Sequence, residues 1–137
     1  MTGWDRASLT LHTPLLRPTL LLGLHLSSFA VTPPYPACKG YVLARYQKTG
    51  GTYVSIYEGR KIEAACGNFG DIGAPAHLRV RGNPAVLFSW CGDTACYSLL
   101  RWREAGIEID IEESHLTGNQ LLSFAHAMRI VRTCRCQ

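Results

Sequence analysis

Val86-Leu87-Phe88-Ser89-Trp90-Cys91-Gly92-Asp93-Thr94-Ala95-Cys96-Tyr97-Ser98-Leu99-Leu100-Arg101-Trp102 is the stretch on which the fold turns. Both of its arms are apolar and aromatic, and the four residues between the cysteines carry Gly and Asp, so it reads as a β-hairpin. Closing the ribbon there sets Cys91 opposite Cys96. Facing positions on paired strands bring their Cβ atoms to the separation that a disulfide requires. The stretch therefore predicts both a local structure and an oxidising compartment.

Working outward, Glu104-Ala105-Gly106 turns the chain into Ile107-Glu108-Ile109-Asp110-Ile111-Glu112. This strict alternation predicts a half-buried strand with isoleucines to the core and carboxylates to water. Arg79, Arg81 or Arg101 on a neighbouring strand could pair with those acids. Upstream, His77-Leu78-Arg79-Val80-Arg81 alternates with Leu78 and Val80 inward, and Gly82-Asn83-Pro84 turns it into the next strand. Earlier still, residues 41–47 and 52–57 flank Lys48-Thr49-Gly50-Gly51 as a second hairpin. Val54 and Ile56 share one face of it, and Tyr53, Ser55 and Tyr57 share the other. Glu58-Gly59 then closes that strand. Residues 66–75, with Gly67, Gly70, Gly73 and Pro75, read as a loop; no Gly-Lys-Ser/Thr comes after it to make a phosphate cradle.

Near the C-terminus Thr117 and Gln120 match a capping box that opens a helix through about Val131. Leu121, Phe124, Ala125, Met128 and Val131 form its apolar face, and arginines in the last turn complement the helix dipole. The fold class is α+β: an antiparallel sheet of about five to six strands with one C-terminal helix packed on one face. Residues 40–137 form that single domain, preceded by a Pro-rich extended lead-in over 32–39.

With 137 residues, 47% hydrophobic and 18% charged, the chain is an ordinary globular domain with one core. Its net charge of +4 is mild. Arg129, Arg132 and Arg135 read as a solvated basic end, not as the dense basic and aromatic face of a nucleic-acid binder. Residues 1–31 differ in character: Arg6 and Arg17 precede an apolar run from Leu20 to Val31, of signal-peptide length and too short for a membrane span. Ser28-Phe29-Ala30 offers a small-x-small cleavage pattern. The segment is expected to be an export signal, or else a loosely packed N-terminal piece, or an apolar helix over Leu9–Leu26, interrupted at Pro14 and Pro18, that packs on the domain.

Six cysteines support the same compartment. Beyond the Cys91–Cys96 pair, Cys38, Cys66, Cys134 and Cys136 are candidates for further disulfides, and sequence does not choose their pairing. Zinc held by Cys91, Cys96, Cys134 and Cys136 is the rival, weakened because the two-residue knuckle spacing is absent. No histidine stands in a recognisable motif with a cysteine, and no nucleophile elbow frames a serine, so a small thiol enzyme is the weakest reading. The residues call for no cofactor, no resident metal and no catalytic group.

Several short pieces carry a family likeness: Pro34-Tyr35-Pro36 leading to Gly40-Tyr41-Val42-Leu43, Tyr53-Val54-Ser55-Ile56-Tyr57, and Val80-Arg81-Gly82-Asn83-Pro84-Ala85. Leu100-Arg101-Trp102-Arg103-Glu104-Ala105-Gly106 comes next, then Leu116-Thr117 with Leu121-Leu122-Ser123-Phe124-Ala125. In these the chain resembles a bacterial domain-of-unknown-function family found at the C-terminus of anti-sigma factors and of lipoprotein-sorting-like envelope proteins. The resemblance implies an extracytoplasmic module with no catalytic residues to transfer. The expected function is non-enzymatic binding or sensing of a protein or envelope ligand, with stress signalling as a setting and a membrane reached only through a partner or anchor. Aromatics and arginine dominate binding hot spots. Tyr53, Tyr57, Phe69, Arg79, Arg81 and Trp102 are the candidate surface, with a zinc-stabilised intracellular interaction module as the alternative.

Overall fold

The computed structural model describes residues 2–36, 38–60 and 74–132. In chain order these form α1 (Gly3–Leu11), β1 (Leu15–Arg17), β2 (His25–Thr32), β3 (Tyr41–Gln47), β4 (Tyr53–Gly59), β5 (Ala74–Val80), β6 (Asn83–Cys91), β7 (Cys96–Glu104), β8 (Ile107–Ser114), α2 (Gly118–His126) and β9 (Arg129–Val131). Seven of these described strands make one antiparallel sheet in the order β2-β3-β4-β8-β7-β6-β5, and β1 pairs with β9 in a separate two-stranded ribbon. The α+β class holds, with more strands than the sequence suggested. Hairpins join β3 to β4 and run in succession from β5 to β8. Consecutive strands β4 and β5 do not pair; β4 lies instead against β8.

Turn chemistry sets the register of this meander. Arg81 and Gly82 have φ of 53° and 80°, and Ala105 and Gly106 have φ of 53° and 79°. Two successive left-handed residues make the tight turn whose twist matches paired strands. The second turn places Glu104 opposite Ile107, which puts Arg103 opposite Glu108 and Arg101 opposite Asp110. At the other end of the ribbon, the Gly92 N–H donates to the Ala95 carbonyl at 2.8 Å. Cys91 faces Cys96 there, as expected, and the two are joined by a disulfide.

Alternation along the strands gives the sheet one core face. Val42, Ala44, Val54, Ile56, Leu100, Trp102, Ile107, Ile109 and Ile111 are buried on it. The same cluster takes in Trp4, Ala7 and Leu11 of α1, Leu15 and Leu16 of β1, Leu121, Phe124 and Ala125 of α2, and Met128 and Val131. Each fully buried Leu, Ile or Phe contributes roughly 1.5–3 kcal/mol. Trp4 anchors α1, its indole N–H donating to the Tyr46 hydroxyl at 3.2 Å and its ring meeting Phe29 edge-on. Gly59 allows close packing at the end of β4: a Cβ there would stand 2.5 Å from the Gly40 carbonyl oxygen.

These contacts revise the reading of the N-terminus. Residues 2–31 are not a loose extension: α1 and β1 supply part of the core and β2 is a strand of the main sheet. No apolar helix runs over Leu9–Leu26, because α1 ends at His12, whose left-handed φ of 51° stops it ahead of Pro14. Cleavage after Ala30 would remove α1, β1 and most of β2. The Pro-rich lead-in is short, with Tyr35 and Cys38 exchanging backbone hydrogen bonds of 2.9 Å. Near the other terminus the capping box of Thr117 and Gln120 is present, but α2 stops at His126. Arg129-Ile130-Val131 pairs with Leu15-Leu16-Arg17, so Arg129 belongs to β9 and not to a last helical turn.

Glu58, on the core face of β4, has no exposed surface. Its Oε1 accepts the Leu16 backbone N–H at 2.6 Å, tying β1 to the main sheet. Its Oε2 has no partner among the described residues. Burial pushes the carboxyl well above its ordinary value, against the pull of the Leu16 amide. The native state then holds a proton that the unfolded chain releases above its carboxylate pKa, so this group's contribution falls as pH rises from about 4.5 toward the native value.

Two outcomes are expected. Deleting residues 1–31 uncovers the core face and should abolish the cooperative thermal transition followed by circular dichroism. Glu58→Gln keeps an acceptor for Leu16 and removes the titration. It should melt near wild type at acid pH and above it at pH ~8, by roughly 1–3 kcal/mol in chemical denaturation.

Candidate functional site

Both helices and the β1–β9 ribbon pack on the core face, and the opposite face of the large sheet carries a different population of side chains. Register aligns them in transverse rows. In one row Tyr53 of β4 pairs with Ser114 of β8, Ser114 with Tyr97 of β7, and Tyr97 with Trp90 of β6. Trp90 and Tyr97 stack at 5.6 Å between centroids, and Tyr97 lies 6.4 Å from Tyr53. The Arg45 guanidinium of β3 sits 4.1 Å above the Tyr53 ring, a cation–π contact. Arg45, Tyr53, Tyr97 and Trp90 are all half-buried. Tyr53 Oη donates to Glu112 Oε1 at 2.7 Å. Burial first, then that hydrogen bond and the Glu112 charge, push the phenol far above its usual value, so it stays a donor.

Further along the same face, Arg101 grips Asp110 with two hydrogen bonds, Nε to Oδ1 at 2.9 Å and Nη2 to Oδ2 at 3.3 Å. Asp110 has no exposed surface and the Arg101 side chain is 23% exposed. Here the expectation of carboxylates facing water fails. β8 is the central strand, so its acids lie between the tyrosines of β4 and the arginines of β7 and are buried or half-buried. Arg101, one of the three arginines that the sequence offers to these acids, does pair with one. Glu108 stands next along the strand face, opposite Arg103. Burial first, then the Asp110 charge, push it up to about 7, against Arg101 and Arg103. A hydrogen bond shared with Asp110 acts in the same direction as burial.

The disulfide end of the ribbon borders a cleft of about 540 Å³ formed by Gly92–Cys96, Ser98, Glu113, His115 and Leu116. Glu113 is raised by burial and accepts the Leu116 N–H at 2.9 Å. His115, in the left-handed region with φ of 70°, brings Nδ1 to 3.1 Å from Ser114 Oγ and 3.3 Å from the Gly51 carbonyl. Ser114 is 1% exposed and donates to the Cys96 carbonyl at 3.3 Å. Serine and histidine here brace the strand end; the hydroxyl is not presented to a substrate as a nucleophile would be.

The sequence-derived candidates divide sharply. Tyr53 and Tyr57 lie on the face just described, and Tyr57 stands opposite Asp110. Arg79 is exposed near the β5 edge and donates to the Gly82 carbonyl. Arg81 is a structural clasp: it donates to both oxygens of Glu104 at 2.9 and 3.1 Å and to the carbonyls of His126 and Met128. Trp102 belongs to the core, at 2% exposure, with its indole N–H on Glu104. Cys38 is disulfide-bonded. Phe69, Cys66, Cys134 and Cys136 lie outside the described residues. With their sulfurs joined, Cys91 and Cys96 offer no thiolate to zinc. Sequence reading passed over Arg45, Trp90, Tyr97 and Glu108. Counting outward from the Ala105-Gly106 turn and from the cysteine pair places Glu108 opposite Arg103 and Trp90 opposite Tyr97.

Comparison with family models, curated proteins and solved structures finds no match to this chain.

Arg101→Met leaves Asp110 buried without its main counter-charge and should cost about 3–5 kcal/mol in urea denaturation.

Proposed function

We propose that this protein is an exported, non-enzymatic binding domain that recognises a protein or other envelope ligand through the Arg45–Tyr53–Tyr97–Trp90 row. The observation that carries this reading is the row itself: three aromatic rings and one guanidinium in contact, half-exposed, on the sheet face opposite the helices. Aromatic rings offer large contact area at small entropic cost, and rings held before binding lose little freedom on complex formation. The Tyr53–Glu112 hydrogen bond supports such pre-organisation.

Export is supported by the disulfides at Cys91–Cys96 and Cys38, since such bonds persist in oxidising compartments. Among the described residues no helix is long and apolar enough to cross a membrane, so attachment through a partner or anchor fits the same reading. The resemblance to envelope modules of anti-sigma factors points toward stress signalling as the setting.

The test compares immobilised wild type with a Trp90→Ala/Tyr97→Ala variant of equal melting temperature, each presented with extracytoplasmic extract. The expected result is a partner held by wild type and weakened at least about tenfold by the variant, consistent with hot-spot loss. Equal retention by a folded variant removes the aromatic row from the function.

A further inference from the structure

At the opposite end of the same face from the disulfide, Pro84, Val86, Arg101, Trp102, Arg103 and Glu108 line a separate cavity of about 340 Å³. This lies in the size range of small-ligand sites. Its origin is in the strand pairing. Val86 stands opposite Arg101 and Glu108 opposite Arg103, so β6 brings apolar side chains beside a cluster of opposite charges.

The cluster is not self-satisfied. Arg101 is engaged with Asp110 through two hydrogen bonds. Arg103 is exposed and spends one nitrogen on the Arg60 carbonyl at 3.3 Å, whereas a guanidinium has five N–H groups to give. Glu108 is half-buried and shares a hydrogen bond with Asp110, which leaves Arg103 as the group with donors to spare.

We propose that this cavity binds a small amphipathic carboxylate, its apolar body against Pro84 and Val86 and its anionic end on Arg103 beside Glu108. Arg103 supplies the ion pair. Glu108, while it shares a proton with Asp110, puts no charge beside the bound carboxylate. Once ionised, Glu108 repels the same ligand.

Binding therefore strengthens as pH falls through about 7, the region to which Glu108 is raised. The ligand's own carboxylate remains ionised there, with an ordinary pKa of about 4–5. The groups facing Glu108 are Asp110 on its own strand, Arg101 and Arg103 on β7, and, opposite Asp110 on β4, Tyr57; the Arg60 guanidinium turns away to the His12 carbonyl. β6 contributes only Pro84 and Val86, and His77 and Arg79 lie one strand further out. The site is independent of the aromatic row and of any partner that row engages.

The experiment titrates the full chain with octanoate, octanol and octylammonium, monitoring backbone amide shifts of residues 84–86 and 101–108 at about pH 6 and pH 8. Octanoate should bind saturably and tightest of the three, roughly tenfold better at the lower pH, as linkage to one proton allows. Glu108→Gln should keep the low-pH affinity at both values, and the exposed Arg103→Ala should weaken binding at both. Trp90→Ala/Tyr97→Ala should leave it unchanged, which separates this site from the proposed partner surface. Preference for octylammonium, no saturable shift at millimolar octanoate, or an undiminished pH dependence in Glu108→Gln would each overturn the proposal.

Discussion

The ladder between β4 and β8 holds the molecule together. On one side of it lie β2, β3 and β4; on the other lies the meander from β5 to β8, and the main sheet joins them only along this seam. Ile56 faces Ile111 at its centre, with Tyr53–Ser114 at one end and Gly59–Glu108 at the other. The seam positions the core because Val54 and Ile56 meet the isoleucines of β8 beneath α1 and the β1–β9 ribbon. It also assembles the opposite face, since Tyr53 from one block reaches Glu112 and Tyr97 from the other.

A central seam changes the meaning of charge on its strands. An acid on an edge strand is solvated, whereas Asp110 on β8 has neighbouring strands on both sides and none of its surface in water. It stays tolerable because Arg101 stands directly opposite. Glu58 shows another solution on the core side: it is held by a backbone amide, and burial pushes its carboxyl well above the ordinary value, which favours the neutral form. Removing a buried ion's partner is expensive, and protonation avoids part of that cost.

Much of this was legible in the chain. The cysteine ribbon, the alternation of Ile107–Glu112 and the capping box at Thr117 each rest on local chemistry, and each stands where local chemistry puts it. What escaped local reading was made by distant partners. Three-residue strands such as β1 and β9 have no periodicity of their own; Ile130 and Val131 continue a helical pattern until Leu15 and Leu16 arrive to pair with them. In β2, Ser27 and Ser28 interrupt the apolar run, and a bulge between Leu26 and Ser28 breaks the alternation, so the strand resembled a leader segment. Part of the aromatic row was hidden for a similar reason: Trp90 faces Tyr97 within the cysteine hairpin, but Tyr53 becomes a neighbour of Tyr97 only through the β4–β8 and β8–β7 ladders.

The pairing of Leu15 with Val131 spans most of the sequence. During synthesis β1 must wait for β9, because its partner leaves the ribosome only after every strand of the large sheet. Closing so wide a loop is entropically slow relative to the local hairpins. The sheet's own meander can form early, while Leu15 and Leu16 wait for Ile130 and Val131. The β1–β9 ribbon is thus the last seal that chain order allows on the core.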